Sequence, residues 1–145
     1  MEIAGSWIQW KDGETRPMIP VSIQGGDGQP HSEHFLVDTG ADRTVLSEPF
    51  VRDCQLVPTA VPSGFNLHGI SGASAIVKVN TALEFTTVDG RTIRVQGTFA
   101  AFTDPAATDY SILGRDVLDN FDAIVSRRRD QVRLLGGNHY YQILT

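Results

Sequence analysis

The sequence holds a single cysteine, Cys54, in 145 residues, so no disulfide can staple the chain to itself. Stability must come from a buried core, and a domain near this length buries roughly 68–70% of the surface its unfolded chain exposes. No apolar run approaches the roughly 18 residues that a membrane-spanning helix needs, which argues against a membrane partner. Positive charge is in deficit: 12 Lys and Arg stand against 17 Asp and Glu, for a formal net charge of -5 and a pI near 5.2. That balance argues against a nucleic-acid surface as the main partner. The opening MEIAGSWIQW lacks the basic stretch and apolar core of a secretory signal, so a cytoplasmic, reducing location is expected. Repeats, low-complexity segments and long linkers are also missing, and one domain over residues 1–145 is the expectation.

What is present is punctuation. Fourteen glycines and seven prolines break the chain into short, often β-branched apolar runs, which reads as an all-β protein. Trp7 to Trp10 and Met18 to Ile23 flank an Asp12-Gly13 hairpin signal. A glycine-rich turn, Gly25 to Gly28, precedes His34 to Val37. Thr44 to Leu46 is a short apolar piece. Phe65 to Val79 predicts two strands joined by a glycine-tipped turn at Gly69-Ile70-Ser71-Gly72. Leu83 to Thr87 and Thr92 to Val95 flank Asp89-Gly90, and Thr98 to Thr103 and Tyr110 to Leu113 are further strands. One short helix is predicted, Arg115 to Asn120. Ala123 to Val125 and Val132 to Leu135 predict a hairpin around the charged turn Arg127 to Asp130, followed by an aromatic tail from Tyr140 to Leu144.

The segment that carries chemistry is Phe35-Leu36-Val37-Asp38-Thr39-Gly40-Ala41. A carboxylate directly after an apolar strand is costly to bury and needs a reason. Alone, the tetrapeptide is also compatible with an ordinary strand ending in a β-turn. Its meaning changes in company. Downstream come the glycine-bracketed His68-Gly69-Ile70-Ser71-Gly72 and then Ile112-Leu113-Gly114-Arg115-Asp116, while Arg16-Pro17-Met18-Ile19 lies upstream. In that order, over about residues 16–121, the chain resembles the retropepsin-like aspartic proteases, the single-domain proteases of retroviruses and their cellular relatives. Residues 122–145 fall outside the resemblance as an extra hairpin and tail.

The resemblance implies a closed barrel of short strands with a glycine-tipped flap and one short C-terminal helix. It also implies a homodimeric aspartic endopeptidase acting on polypeptides, with no metal or organic cofactor. The chemistry of the residues agrees. Hydrolysis of this kind needs two carboxylates sharing one proton, because like charges about 3 Å apart cannot both ionise. The ionised member activates a water while the protonated member polarises the scissile carbonyl. The chain has one Asp-Thr-Gly; the Asp-Gly pairs at Asp12, Asp27 and Asp89 lack the preceding apolar strand. One carboxylate per chain implies a two-fold dimer with Asp38 from each copy on the axis, titrating as a coupled pair.

By the same resemblance Asp38, Thr39 and Gly40 form the catalytic loop. Ala41, Asp42, Gly69, Ile70, Ser71, Tyr110 and Ile112 line the substrate groove, where an extended peptide would pair as an added strand. Gly69 and Gly72 bracket Ile70 in a tip able to open and close over a peptide. Asp42 pairs with Arg115, and Arg16 reaches the same acid across the dimer. Ala41 cannot donate a hydrogen bond to the ionised carboxylate as a Ser or Thr would, which predicts work at mildly acidic to near-neutral pH.

Other features point elsewhere less well. His31-Ser32-Glu33-His34 offers two imidazoles and a carboxylate, but a strand would point His31 and His34 to opposite faces and the spacing indicates no further metal partner. Nothing places a base beside Cys54, which reads as a structural thiol. Arg127-Arg128-Arg129 reads as a solvated turn. Two alternatives to the general endopeptidase stay open at this point: a non-catalytic retropepsin-like module that binds peptides or dimerises, and a protease that processes only itself or a fused partner.

Overall fold

The turns are where the special backbone lies. Gly13, Gly28 and Gly90 adopt φ of +84°, +78° and +87°, the left-handed region that costs glycine nothing. Each sits at the tip of a hairpin. The structure, a computed structural model, describes residues 1–59 and 76–137. Its strands are β1 (Glu2–Gln9), β2 (Thr15–Gln24), β3 (Pro30–Val37), β4 (Val45–Leu46), β5 (Ile76–Thr86), β6 (Thr92–Phe102), β7 (Ile112–Leu113), β8 (Asp122–Ser126) and β9 (Gln131–Leu135). Two short helices accompany them: α1 (Glu48–Asp53) and α2 (Arg115–Leu118). The molecule is therefore mainly β, as its punctuation predicts.

The strands run in the order β3-β7-β4-β6-β5-β2-β1-β9-β8, and a further β3–β2 pairing closes the first six into a ring. Alternation along β2, β3 and β5 sends one face of each into that ring. Met18, Ile19, Val21, Ile23, Phe35, Leu46, Leu83, Phe85 and Leu113 are almost completely buried. Phe35 meets Phe50 of α1 edge to face at 5.7 Å between centroids, which seats the helix on the ring.

Three departures from the sequence reading have physical causes. A second helix, α1, precedes the glycine-tipped segment. Ser47 caps it by accepting from the Phe50 amide, Pro49 occupies its first turn and Glu48 favours its positive end, so the Ser-Glu-Pro start was a readable helix signal. Thr92 to Val95 and Thr98 to Thr103 belong to one strand, because β6 pairs with β5 without interruption from Thr92 to Phe102, through Gly97. Helix α2 ends at Leu118 rather than Asn120; the Asn120 side-chain amide donates to the Val117 carbonyl and closes the C-terminus. The expected Gly69–Gly72 tip and the Tyr140–Leu144 tail lie outside the described residues.

Beyond the ring, β1 bridges to a three-stranded sheet. Its first half pairs with β9, which pairs with β8 in the hairpin anticipated around Arg127–Asp130. Trp7 spans that hairpin's mouth, its indole N–H shared between the Ser126 and Gln131 carbonyls at 3.2 and 3.3 Å.

Candidate active site

Strand β7 lies between β3 and β4, parallel to the first and antiparallel to the second. The chain leaving β3 at Val37 must therefore pass across the end of β7 to enter β4 at Val45. Residues 38–44 make that crossing. The Asp38 amide donates to the Leu113 carbonyl at 3.1 Å, which fixes the carboxylate beside β7. The loop then turns on itself: Gly40 N–H donates to Asp38 Oδ1 at 3.0 Å and Ala41 N–H to the Asp38 carbonyl at 3.2 Å. Asp38 is half-buried, Thr39 and Gly40 are exposed, and Ala41 is buried.

The underside of the loop is bolted to α2. Thr44 is fully buried; its amide and hydroxyl both donate to Asp116 Oδ1, at 2.8 and 2.7 Å. The same hydroxyl accepts from the Gly114 amide at 3.0 Å. Arg115 N–H donates to the Ala41 carbonyl at 2.9 Å, and Asp116 N–H to the Asp42 carbonyl at 3.2 Å. Gly114 is required by space: a Cβ there would stand 2.3 and 2.4 Å from the Arg43 carbonyl carbon and oxygen. The crossing loop thus rests directly on the β7–α2 junction.

Most residues singled out from the sequence meet here. Asp42 and Arg115 form an ion pair through the Arg115 guanidinium. Ile112 is half-buried in β7, paired with Leu36 and Val45. Tyr110, just before β7, is half-buried and receives two neighbours from the first hairpin. Trp10 meets its ring edge to face at 5.3 Å, and the Arg16 guanidinium lies 5.2 Å from its centroid. Within one chain Arg16 is engaged by Asp12, through two hydrogen bonds of 3.0 and 2.7 Å. That guanidinium pulls the Asp12 carboxyl down to about 2 from its ordinary 3.8. Gly69, Ile70 and Ser71 lie outside the described residues.

Sequence reasoning missed several members of this site. Thr44 and Asp116 carried no role beforehand, although Asp116 stood in the quoted motif. Trp10 gave no signal, because nothing local links β1 to Tyr110. Ser111 was also unmarked, and Glu33 was weighed only as a carboxylate beside His31 and His34: the Ser111 hydroxyl donates to Glu33 Oε2 and accepts the Ser47 amide at 2.9 Å.

The residues considered for other chemistries are placed as follows. His31 reaches the Asp27 carboxylate at 3.0 Å and His34 is exposed, and no metal-sized cluster of His, Cys, Asp and Glu occurs among the described residues. Cys54 is fully buried, and burial, reinforced by the Glu33 charge, pushes its thiol up to about 12. A thiol held protonated is a poor nucleophile. Arg127 lies over the Trp7 ring at 5.5 Å, in the exposed hairpin turn.

Comparison with known proteins follows the same lines. The family model described as "gag-polyprotein putative aspartyl protease" matches residues 20–120. Among solved structures, the chain resembles a retropepsin-like aspartic protease from Rickettsia conorii, with a TM-score of 0.52 and 18% identity over 92% of this chain and 90% of that one. It is also similar to EIAV protease complexed with the inhibitor HBY-793, at a TM-score of 0.47 and 22% identity over 77% of this chain and 92% of that one. At 18% identity the first likeness speaks to the fold. No curated protein sequence matches the chain.

Proposed function

The chain belongs to the gag-polyprotein aspartyl protease family, and from that premise we propose that it is a homodimeric aspartic endopeptidase whose Asp38 meets the Asp38 of a second copy. The observation that carries the reading is the crossing loop. Asp38 is held at the end of an apolar strand, on a loop anchored from below by Thr44, Gly114 and Asp116, which leaves the Thr39-Gly40 side open to solvent. A reacting group so placed is oriented by the fold and accessible to substrate.

In this reading one carboxyl of the pair is protonated and the other ionised. The ionised member takes a proton from a water as that water attacks the scissile carbonyl. The protonated member donates its proton to the carbonyl oxygen, and the member that took the water's proton then passes it to the leaving amine as the C–N bond breaks. No covalent intermediate forms. Thr39 and Gly40 hold the loop, and Gly40 leaves room for a peptide backbone. Tyr110 and Ile112 supply an apolar wall beside the cut bond.

A dimer also has somewhere to form. β8 is the terminal strand of the order, paired with β9 alone among the described strands, and unpaired edges accept a further strand. Ala123 and Val125 share its outward face, with Val125 43% exposed. Antiparallel self-pairing centred on Ile124 would bring each Asp122 towards the Ser126–Arg127 end of the other copy, opposite in charge.

The test is cleavage of a diverse peptide mixture at about pH 4 to 7, wild type beside Asp38→Asn, with products read by mass spectrometry and the dimer followed by sedimentation. Cuts made by wild type and lost in Asp38→Asn are expected, with the highest rate in the mildly acidic to near-neutral range that Ala41 predicts. A dimer that cuts nothing would favour the peptide-binding module or the self-processing protease. A rate optimum below about pH 3 would refute the role given to Ala41.

A further inference from the structure

Directly behind the Tyr110–Ile112 wall lies an acid that the mechanism above does not use. Glu33 sits on β3, five positions before Asp38, and accepts from the Ser111 hydroxyl. Ser111 is fully buried between Tyr110 and Ile112. Its oxygen receives the Ser47 amide, and its carbonyl receives the Leu36 amide at 2.9 Å. A hydroxyl has one proton to give, and here it goes to Glu33. Three elements thereby converge on Ser111: the N-cap of α1, strand β3 and the wall itself.

We propose that Glu33 is a positioning residue for the substrate wall, holding the Tyr110–Ile112 segment through Ser111 and releasing it when the carboxylate is protonated. An ionised carboxylate only accepts, so the Ser111 rotor has one orientation. A protonated carboxyl can also donate, and the Ser111 proton is then free to turn elsewhere. The wall loses a fixed anchor without losing a bulky side chain. The proposal rests on the endopeptidase reading for its consequence in substrate binding, and on the hydrogen-bond chain alone for its effect on the wall.

The surroundings raise the pH at which Glu33 titrates. Burial is the leading influence on the Glu33 carboxyl and pushes it up from its ordinary value, against the pull of the Ser111 hydroxyl; the negative Asp53 at the end of α1 pushes the same way. Cys54, behind α1, stays neutral. On the β2 side the register partner is Val21, which bears no charge. On β3 itself, His31 is occupied by Asp27 and His34 is exposed.

Trp10 reports on the wall, because its ring packs against Tyr110. In a Trp7→Phe background its emission is followed from pH 7 down to about pH 4, in otherwise wild-type protein and with Glu33→Gln or Ser111→Ala added. The expected result is one transition in the background protein, absent from both variants. On cleavable peptides, KM should rise severalfold through the same transition in wild type. In Glu33→Gln it should be high and flat, with kcat changed little. A transition that persists in Glu33→Gln, or a KM profile unaltered by that substitution, overturns the proposal. If no variant cuts peptide but the emission transition depends on Glu33, the endopeptidase reading has failed and the link from Glu33 to the wall stands.

Discussion

Thr44 and Asp116, 72 residues apart, are joined twice: the Thr44 amide and hydroxyl both end on the same Asp116 oxygen. That oxygen also accepts the Val117 amide at 2.9 Å, so one carboxylate in the first turn of α2 holds both its own helix and the crossing loop. The position of Asp38 relative to β7 follows from this junction as much as from its own strand.

Thr44→Val keeps the volume and removes the hydroxyl, leaving the buried Gly114 amide without its acceptor. An unsatisfied buried donor costs about 1–3 kcal/mol. Chemical denaturation should show a lower midpoint of that size, while Thr44→Ser should stay close to wild type. Equal stability of Thr44→Val and wild type would remove Thr44 from the anchor.

Gly114→Ala tests contact rather than hydrogen bonding. The new methyl would collide with the Arg43 backbone, which has no flexible end to move aside. Overpacking of this kind costs about 1–3 kcal/mol, and relief by lifting the loop would displace Asp38. The expected outcome is a stability loss in denaturant together with a fall in kcat larger than the change in KM.

Glu33 carries a stability signature of its own. A carboxyl whose folded value lies above its unfolded one favours folding at pH below the unfolded value. That contribution is lost as pH rises through the folded value. Above the folded value ionised Glu33 is therefore a burden, and Glu33→Gln should raise Tm there. Near pH 4 and below, where both are neutral, the gain should shrink towards zero. A gain independent of pH, measured at fixed protein concentration, would contradict the assignment.

Arg16 has a partner within its own chain, Asp12, and the depressed Asp12 carboxyl supplies the readout. Its contribution to stability is present above the ordinary 3.8 and lost as pH falls through about 2. In Arg16→Ala, NMR titration should find Asp12 returned towards its ordinary value. Sedimentation of the same variant addresses the other expectation: a tight, active dimer without Arg16 would confine it to Asp12 and Tyr110, and a weakened dimer would support a reach across the two-fold axis.

Much of the architecture was legible in the sequence because it is written locally. Asp12-Gly13 and Asp89-Gly90 announce hairpins, since only certain residues accept the backbone those turns require. Alternation in β2 and β3 reveals an inner face, since successive side chains point to opposite sides. Helix α1 was overlooked although Ser47 and Pro49 marked its start. The unbroken β6 was hidden by Gly97, which reads as a break but here continues the ladder.

The run Phe35–Ala41 marked Asp38 only in company with the glycine-bracketed Gly69–Gly72 and with Ile112–Asp116, because an acid between an apolar strand and Thr-Gly is by itself also an ordinary turn. What lies around Asp38 was decided by the tertiary structure alone. Thr44 finds Asp116, Ser111 finds Glu33 and Trp10 finds Tyr110 only because β7 threads between β3 and β4 and the first hairpin folds back onto it. Pairings over such separations carry no sequence period. They are set by which strands share hydrogen bonds, and that order is fixed when the whole core is buried at once.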